Sequence, residues 1–305
     1  MNCLRAICGA GLFLVVFSLT GQVLPGDHYL ATDIANDVFY LPKKTDRYFS
    51  SGLAVEYGDR SLVKAAVGSN GLATLRQYWR LQQNIYTPED IQSTSLVAGD
   101  RPFASYLVLS RGKDFFDESL GFRLEREWTA GVLGKYSFGG QMQNAFHDMV
   151  EFAERIPGWK YEVKPDAIIN YRLRLTRRLS YGRRLQLNPR AETRLGSLHT
   201  DVSAGLMANL TVIDLSADRQ LGIALSGDAR LVGYDATLSG GLLNRDDRYR
   251  GVVIPRRLVG SGSLDVFLDY EGWQLRGGIT TQSTDFEGGQ PHVWAWFGLR
   301  TGGRK

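Results

Sequence analysis

The sequence predicts an all-β fold, a roughly 12-stranded antiparallel transmembrane β-barrel with one short extracellular helix at about 140–156. Three observations predict it. About twelve segments alternate apolar and polar residues with a period of two, the mark of strands with unlike faces. Each runs to about ten residues, enough to cross a bilayer as a tilted strand, whereas the strands of soluble sandwiches typically have about five or six. The chain also opens on an export signal and carries no cysteine beyond it.

Arg5 supplies a positive start, Ala6 to Leu19 is uncharged, and Thr20, Gly21, Pro25 and Gly26 break the run. Residues 1–26 therefore read as a secretory signal peptide, with cleavage somewhere in 20–27 and a single barrel domain over 27–305. Both cysteines, Cys3 and Cys8, lie in the signal, so the mature chain has no disulfide, thiolate nucleophile or cysteine metal site. Without Arg5, 35 basic residues face 32 acidic ones, a net +3 too weak to argue for nucleic acid. An aromatic content of 11% with 35 glycines excludes a disordered chain and suits a strand-and-turn protein. No internal apolar run is long enough for a spanning helix.

The strands are expected near 29–39, 48–59, 74–86, 103–112, 121–133, 166–178, 184–196, 201–214, 220–236, 257–270, 272–284 and 291–300. In the second, Phe49, Ser51, Leu53, Val55 and Tyr57 share one face, expected to meet lipid, against Ser50, Gly52, Ala54 and Glu56. In the fifth, Phe122, Leu124, Trp128, Ala130 and Val132 oppose Arg123, Glu125, Glu127 and Thr129, with Arg126 interrupting the apolar side. The sixth sets Ala167, Ile169, Tyr171, Leu173 and Leu175 against Asn170, Arg172 and Arg174. In the last, Trp294 and Trp296 are expected as barrel-wall or interface anchors.

One segment departs from this period. Met142, Phe146, Met149, Val150 and Ala153 recur at helical spacing and Pro157-Gly158 stops the run, placing an amphipathic helix in the longest connection, 134–165. At about 100° per residue, Gln143, Glu154 and His147 fall within about 40° of one another and form one polar stripe. A histidine beside a carboxylate on one helical face is a general base with its partner. With both termini on the periplasmic side, the connections near 40–47, 87–102 and 134–165 face the cell exterior. Asn36-Asp37, Ser50, Gly99-Asp100-Arg101-Pro102 and His147 then converge on one rim. The other histidines, His28, His199 and His292, have no supporting neighbours and are expected at the surface or an interface.

These residues carry a family resemblance. Ile34-Ala35-Asn36-Asp37, Asp46 to Gly52, Ile85-Tyr86-Thr87-Pro88, Gly99 to Ala104, Gln141 to His147 and Gly158-Trp159 resemble, in order and approximate spacing, the lipid A 3′-O-deacylase (LpxR) family. The resemblance covers about 30–175, with general barrel character beyond. It implies an outer-membrane esterase of a Gram-negative bacterium that removes the 3′-linked acyloxyacyl group of lipid A in a Ca²⁺-dependent reaction. The site would face the cell exterior. The family's catalytic histidine falls on His147, its Asn-Asp pair on Asn36 and Asp37, its threonine on Ser50, and its glutamate on Glu154, with Glu151 as the rival. Asp37 and Glu154 are the expected metal ligands, and Gln143, Arg101 and Phe146 the expected substrate contacts. The family's lysine after Ile-Tyr-x-Pro has no counterpart in Glu89 to Ala98. The expected partner is lipopolysaccharide in the outer leaflet, met by a monomer. The alternative is a non-catalytic barrel for passage of solutes or lipids.

Overall fold

The computed structural model describes residues 28–40, 47–64, 72–95, 99–149, 155–216, 218–245, 247–249 and 251–302. The expected signal peptide lies outside them. The strands are β1 (His28–Asn36), β2 (Tyr48–Lys64), β3 (Leu72–Thr87), β4 (Ala104–Asp117), β5 (Phe122–Leu133), β6 (Asp166–Arg177), β7 (Leu179–Tyr181), β8 (Leu185–Gly196), β9 (His199–Ser216), β10 (Arg219–Asp235), β11 (Leu258–Tyr270), β12 (Trp273–Gln282) and β13 (His292–Gly302). Apart from β6 and β7, consecutive strands pair antiparallel, and β1 also pairs with β13, from Tyr29 opposite Gly302 to Asn36 opposite Ala295. β6 and β7 both pair with β8 and form one stave interrupted at Arg178. The result is a closed barrel of twelve antiparallel staves, which leaves no sheet edge for a membrane to expose.

The alternation read from the sequence is the difference between the two faces of this wall. Val55, Tyr57, Trp79, Leu81, Leu109 and Trp128 stand exposed on the outside. Glu56, Arg76, Arg80, Glu125, Glu127, Arg172 and Glu192 line a lumenal cavity of about 1690 Å³. Lumenal rings need room that only glycine gives. A Cβ at Gly112 would sit 2.0 Å from the Tyr78 ring, so Gly112 is what lets that tyrosine lie flat across the lumen. At the end holding the termini the turns are short. Glu271-Gly272, with φ of 47° and 87°, joins β11 to β12 in the two-residue turn that suits twisted hairpins. The opposite end carries the long connections and is the extracellular one. There, inward residues of β2, β4 and β6 (Tyr48, Tyr106, Val108, Ile168) pack with Leu238, Tyr249, Val253 and Phe286 from the connections into a buried apolar cluster.

Two expectations about facing are corrected. Phe49 does not meet lipid: a bulge between Phe49 and Ser51 shifts the register of β2. The ring turns inward onto Tyr86 and Trp294, at centroid distances of 5.6 and 5.1 Å. Trp294 and Trp296 also line the lumen, where Trp296 Nε1 donates to Asp265 Oδ1 at 3.2 Å. The expected helix begins where the spacing places it, as α1 (Gly139–Met149). Residues 150–154 lie outside the described residues, and Arg155 and Ile156 are not helical.

Candidate active site on the outer wall

The outer group of expected residues gathers at the extracellular ends of β1, β2 and β3. Ala31, Asp33 and Ala35 line the lumen, so Asn36 stands on the outer register of β1, paired with Ser51 of β2. The Asn36 carboxamide oxygen accepts from Val38 N at 2.8 Å, a local turn that commits the oxygen and leaves the NH₂ as donor. Asp37, 1% exposed, is turned back under the connection, and its Oδ2 accepts from Arg47 N at 2.9 Å. Ser50 occupies the bulge, with Oγ 2.7 Å from Thr87 Oγ1; both residues are buried. Arg47 ties the rim together by donating to Glu89 at 2.8 Å and to Gln290 at 3.3 Å. Of the residues expected on this rim, the structure brings Asn36, Asp37 and Ser50 together at the adjoining ends of β1 and β2.

α1 lies against the outside of β3 and β4. A Cβ at Gly139 would meet Ser105 Cβ at 2.3 Å, and one at Gly140 would meet the Trp159 ring at 2.7 Å, so the Gly-Gly start allows this close approach. Ser105 is outward because its neighbours Tyr106 and Val108 face the lumen. Gln143 Oε1 accepts from Trp159 Nε1 at 3.0 Å, and Asn144 Oδ1 accepts from Ile156 N at 2.8 Å. Together with the Asp148–Arg155 ion pair, these bonds hold Arg155, Ile156 and Trp159 against the helix. His147 is half-buried on the same stripe as Gln143, its ring 6.4 Å from that of Phe146. Phe146 and Met142 are exposed, as are Tyr136 and Phe138 just before the helix, forming an apolar ledge on the lipid side. Glu154 and its rival Glu151 fall outside the described residues.

Beneath this ledge is a cluster that the sequence did not signal. Ser105 Oγ donates to Glu162 Oε1, the Ser137 hydroxyl bonds Ser105, and Gln83 Nε2 donates to the Ser137 carbonyl oxygen. Burial raises the Glu162 carboxyl to about 7, against the opposing pull of bonds from the Ser105 hydroxyl and backbone N–H. Glu162 sits outside any period, so no pattern marked it. Thr87 was signalled only as part of Ile-Tyr-Thr-Pro.

Arg101 is not part of this group. Its side chain lies on the inner side, 3% exposed, donating to Asp285 Oδ2 at 3.3 Å and to Thr237 Oγ1 at 3.0 Å, with its guanidinium 4.4 Å over the Tyr86 ring. His199 and His292 are likewise buried and line an inner cavity of about 320 Å³, not the surface. As to a metal, Asp37, Ser50, Thr87 and Asn36 offer oxygen only, which fits a hard cation such as Ca²⁺ and not zinc. Among the described residues no three His, Asp or Glu side chains cluster to hold one, so hydroxyl and carbonyl oxygens would have to complete the set.

Over residues 10–301 the sequence matches the family described as outer membrane protein LpxR. The chain belongs to the LpxR family. Its fold is similar to that of LpxR from Salmonella typhimurium, with a TM-score of 0.76 over 90% of this chain and 99% of that one, at 16% identity. It is more distantly similar to the β domain of the Bordetella autotransporter BrkA (TM-score 0.49, 10% identity, 90% and 98% covered). An outer membrane channel from Pseudomonas putida follows (TM-score 0.45, 10% identity, 92% and 97% covered). No curated protein matches the sequence. As a member of the LpxR family with a closed twelve-stave barrel, the chain is an outer-membrane protein.

Proposed function

We propose that this LpxR-family barrel is an esterase that removes the 3′-linked acyloxyacyl group of lipid A in the outer leaflet. The observation that carries the reading is the side of the wall on which the polar cluster stands. Asn36, Ser50 and Thr87 lie at the extracellular end of the outer face, beside an apolar ledge on α1 that carries His147. A substrate with acyl chains in the membrane and a polar headgroup above it presents its ester bonds at that boundary. Phe146, Met142 and Phe138 would line the chains. His147, oriented by Gln143 of its own helix or by Glu154, takes the proton of a water whose oxygen attacks the ester carbonyl, and returns it to the leaving sugar oxygen. The free NH₂ of Asn36 faces the developing oxyanion. Asp37 and Glu154 would hold Ca²⁺, with the Ser50 hydroxyl as a neighbouring oxygen; the ion supplies Lewis-acid polarisation of the carbonyl when bound.

Passage through the lumen is disfavoured by the apolar cluster of Tyr48, Leu238, Tyr249 and Phe286 across its extracellular end. Mass spectrometry of lipid A from cells with and without the protein tests the reading. Loss of the 3′ acyl mass is expected, with restoration of the full mass by chelator and by Asp37→Ala. Unaltered lipid A would remove the deacylase assignment, and full activity in excess chelator would remove the metal.

A further inference from the structure

Toward the end of the lumen opposite the outer-wall site, three arginines, Arg60, Arg76 and Arg300, crowd around one tyrosine ring. Arg60 and Arg76 are direct cross-strand partners on β2 and β3, and both line the cavity. Like charges in that relation repel and are avoided in sheets. Arg300 of β13 joins them. The guanidinium carbons of Arg60, Arg76 and Arg300 lie 5.7, 5.9 and 4.8 Å from the centroid of one ring, Tyr29. Their carboxylate partners are oversubscribed. Glu56 is shared by Arg76 and Arg300 at 3.5 and 3.6 Å, with Arg80 at 3.4 Å also paired to Asp33 at 2.9 Å, and Asp114 is shared by Arg76 and Arg123 at 3.1 and 3.4 Å. Among the described residues Arg60 has no ion pair and no hydrogen bond from its guanidinium.

The aromatic rings hold the guanidinium planes by cation–π contact, which fixes the forks without using their N–H groups. Arg60 lies near the end of β2 and Arg300 near the end of β13, so the cluster opens toward the periplasmic mouth. We infer that the periplasmic half of the lumen is a binding site for a small oxyanion of two or more charges, of the phosphate or diphosphate class, bridged by Arg60, Arg76 and Arg300. Rigid guanidinium forks match phosphate oxygens in pairs, and a dianion supplies the countercharge that Glu56 and Asp114 do not. The ligand reaches the site from the periplasm, since the apolar cluster closes the other end. Binding ties β2 and β3 to β13 across β1, the strand that closes the barrel.

The test is calorimetric titration of the full refolded barrel in detergent micelles with inorganic phosphate and with pyrophosphate, at constant ionic strength set by chloride. Saturable binding is expected, tighter for pyrophosphate, and weakened at least tenfold by Arg60→Gln. Arg60→Lys keeps the charge and loses the fork, so it should fall between the two. His147→Ala, on the outer wall, should bind as the wild type does. Should Arg60→Gln fail to refold, Arg60→Lys supplies the same comparison. No saturable binding by the wild type overturns the inference. So does pyrophosphate affinity unchanged in Arg60→Gln or, where that variant fails to refold, in Arg60→Lys, which would place the anion elsewhere on the protein.

Discussion

Glu56 and Glu162 are both buried carboxyl groups set against the barrel wall, and their surroundings are opposite. Glu56, on the inner face, lies among Arg76, Arg80 and Arg300 and accepts a hydrogen bond from the Tyr29 hydroxyl at 2.8 Å. Glu162, on the outer face, has no ion pair among the described residues; hydroxyl and amide groups surround it, and Arg248 reaches only its main-chain oxygen. The contrast follows from what each face meets. The lumen is a polar cavity in which charges can be paired across strands, so the inner face is held by ion pairs at fixed register. The outer face meets hydrocarbon, where an unpaired charge is costly, so Glu162 is surrounded by hydroxyl and amide groups and its protonated form is favoured. The inner face is built for rigidity, while the outer face at the extracellular rim leaves its bonding capacity and its apolar ledge to an amphiphile.

The strongest way to sharpen this division is to remove function from one face without touching the other. His147→Ala should lower deacylation by about 10²–10⁴-fold, the usual worth of a general base. It should still fold, insert and show heat-modifiable migration on gels, since α1 contributes nothing to the strand ladder. Lipid A mass spectra read the activity. Deacylation within tenfold of wild type would show that the outer-wall mechanism is wrong.

Breaking the inner face should do the reverse. Glu56→Ala leaves Arg76, Arg80 and Arg300 without their shared carboxylate, and removing one partner of a buried ionic cluster costs about 3–5 kcal/mol. A fall in the urea midpoint of the refolded barrel would report it, with deacylation retained by the folded fraction. Equal loss of activity and stability in this variant would mean that the two faces are coupled. Val55→Arg tests the outer face lower down. Val55 is 40% exposed among lipid-facing residues, and an arginine at mid-bilayer depth costs about 2–4 kcal/mol. The same substitution at Ala54, the inward neighbour, introduces a charge into a polar cavity instead. A cost at Val55 no greater than at Ala54 would contradict the assignment of faces.

The pattern of faces was legible in the sequence because a strand's period is two and both faces are long. Trp128 and Glu127, adjacent in sequence, lie outside and inside as their alternation requires. It failed where the period fails. The bulge at Ser50 turned Phe49 inward, and nothing in Tyr-Phe-Ser-Ser-Gly distinguishes a bulged strand from a regular one. The rim residues were legible as ordered motifs, so Asn36, Asp37 and Ser50 came together. Arg101 did not, because a motif places a residue in a connection without stating which side of the wall its side chain takes. Histidines judged by their sequence neighbours were misplaced for a related reason. His292 packs on Tyr48 of β2 as well as on Trp294 of its own strand, and its Nε2 lies 3.1 Å from the Phe49 carbonyl oxygen; the contacts to β2 cross the barrel wall and leave no mark in the neighbouring sequence.

The smallest expected effect separates the two faces by pH. Glu162 has a folded-state pKa of about 7 against an ordinary value of 4.5. The neutral form is therefore favoured in the docked structure. Below the unfolded value both states are protonated and docking carries no penalty. As pH rises between the two values the released segment loses its proton and the docked one keeps it, so docking weakens. Above about 7 the loss levels off. Between pH 6 and pH 8 this amounts to roughly 1 kcal/mol of docking free energy. Hydrogen exchange at the backbone N–H groups of Ser137 to Gly140 should therefore quicken over that range. Amides of β2 around Glu56 should show no such change beyond the chemistry of exchange itself. Glu162→Gln keeps an acceptor for Ser105 and cannot ionise, so its protection, corrected for the intrinsic rate of exchange, should be flat. A wild-type profile as flat as that of Glu162→Gln would mean the carboxyl is already ionised at pH 6, and the outer face would then tolerate a buried charge as the inner one does.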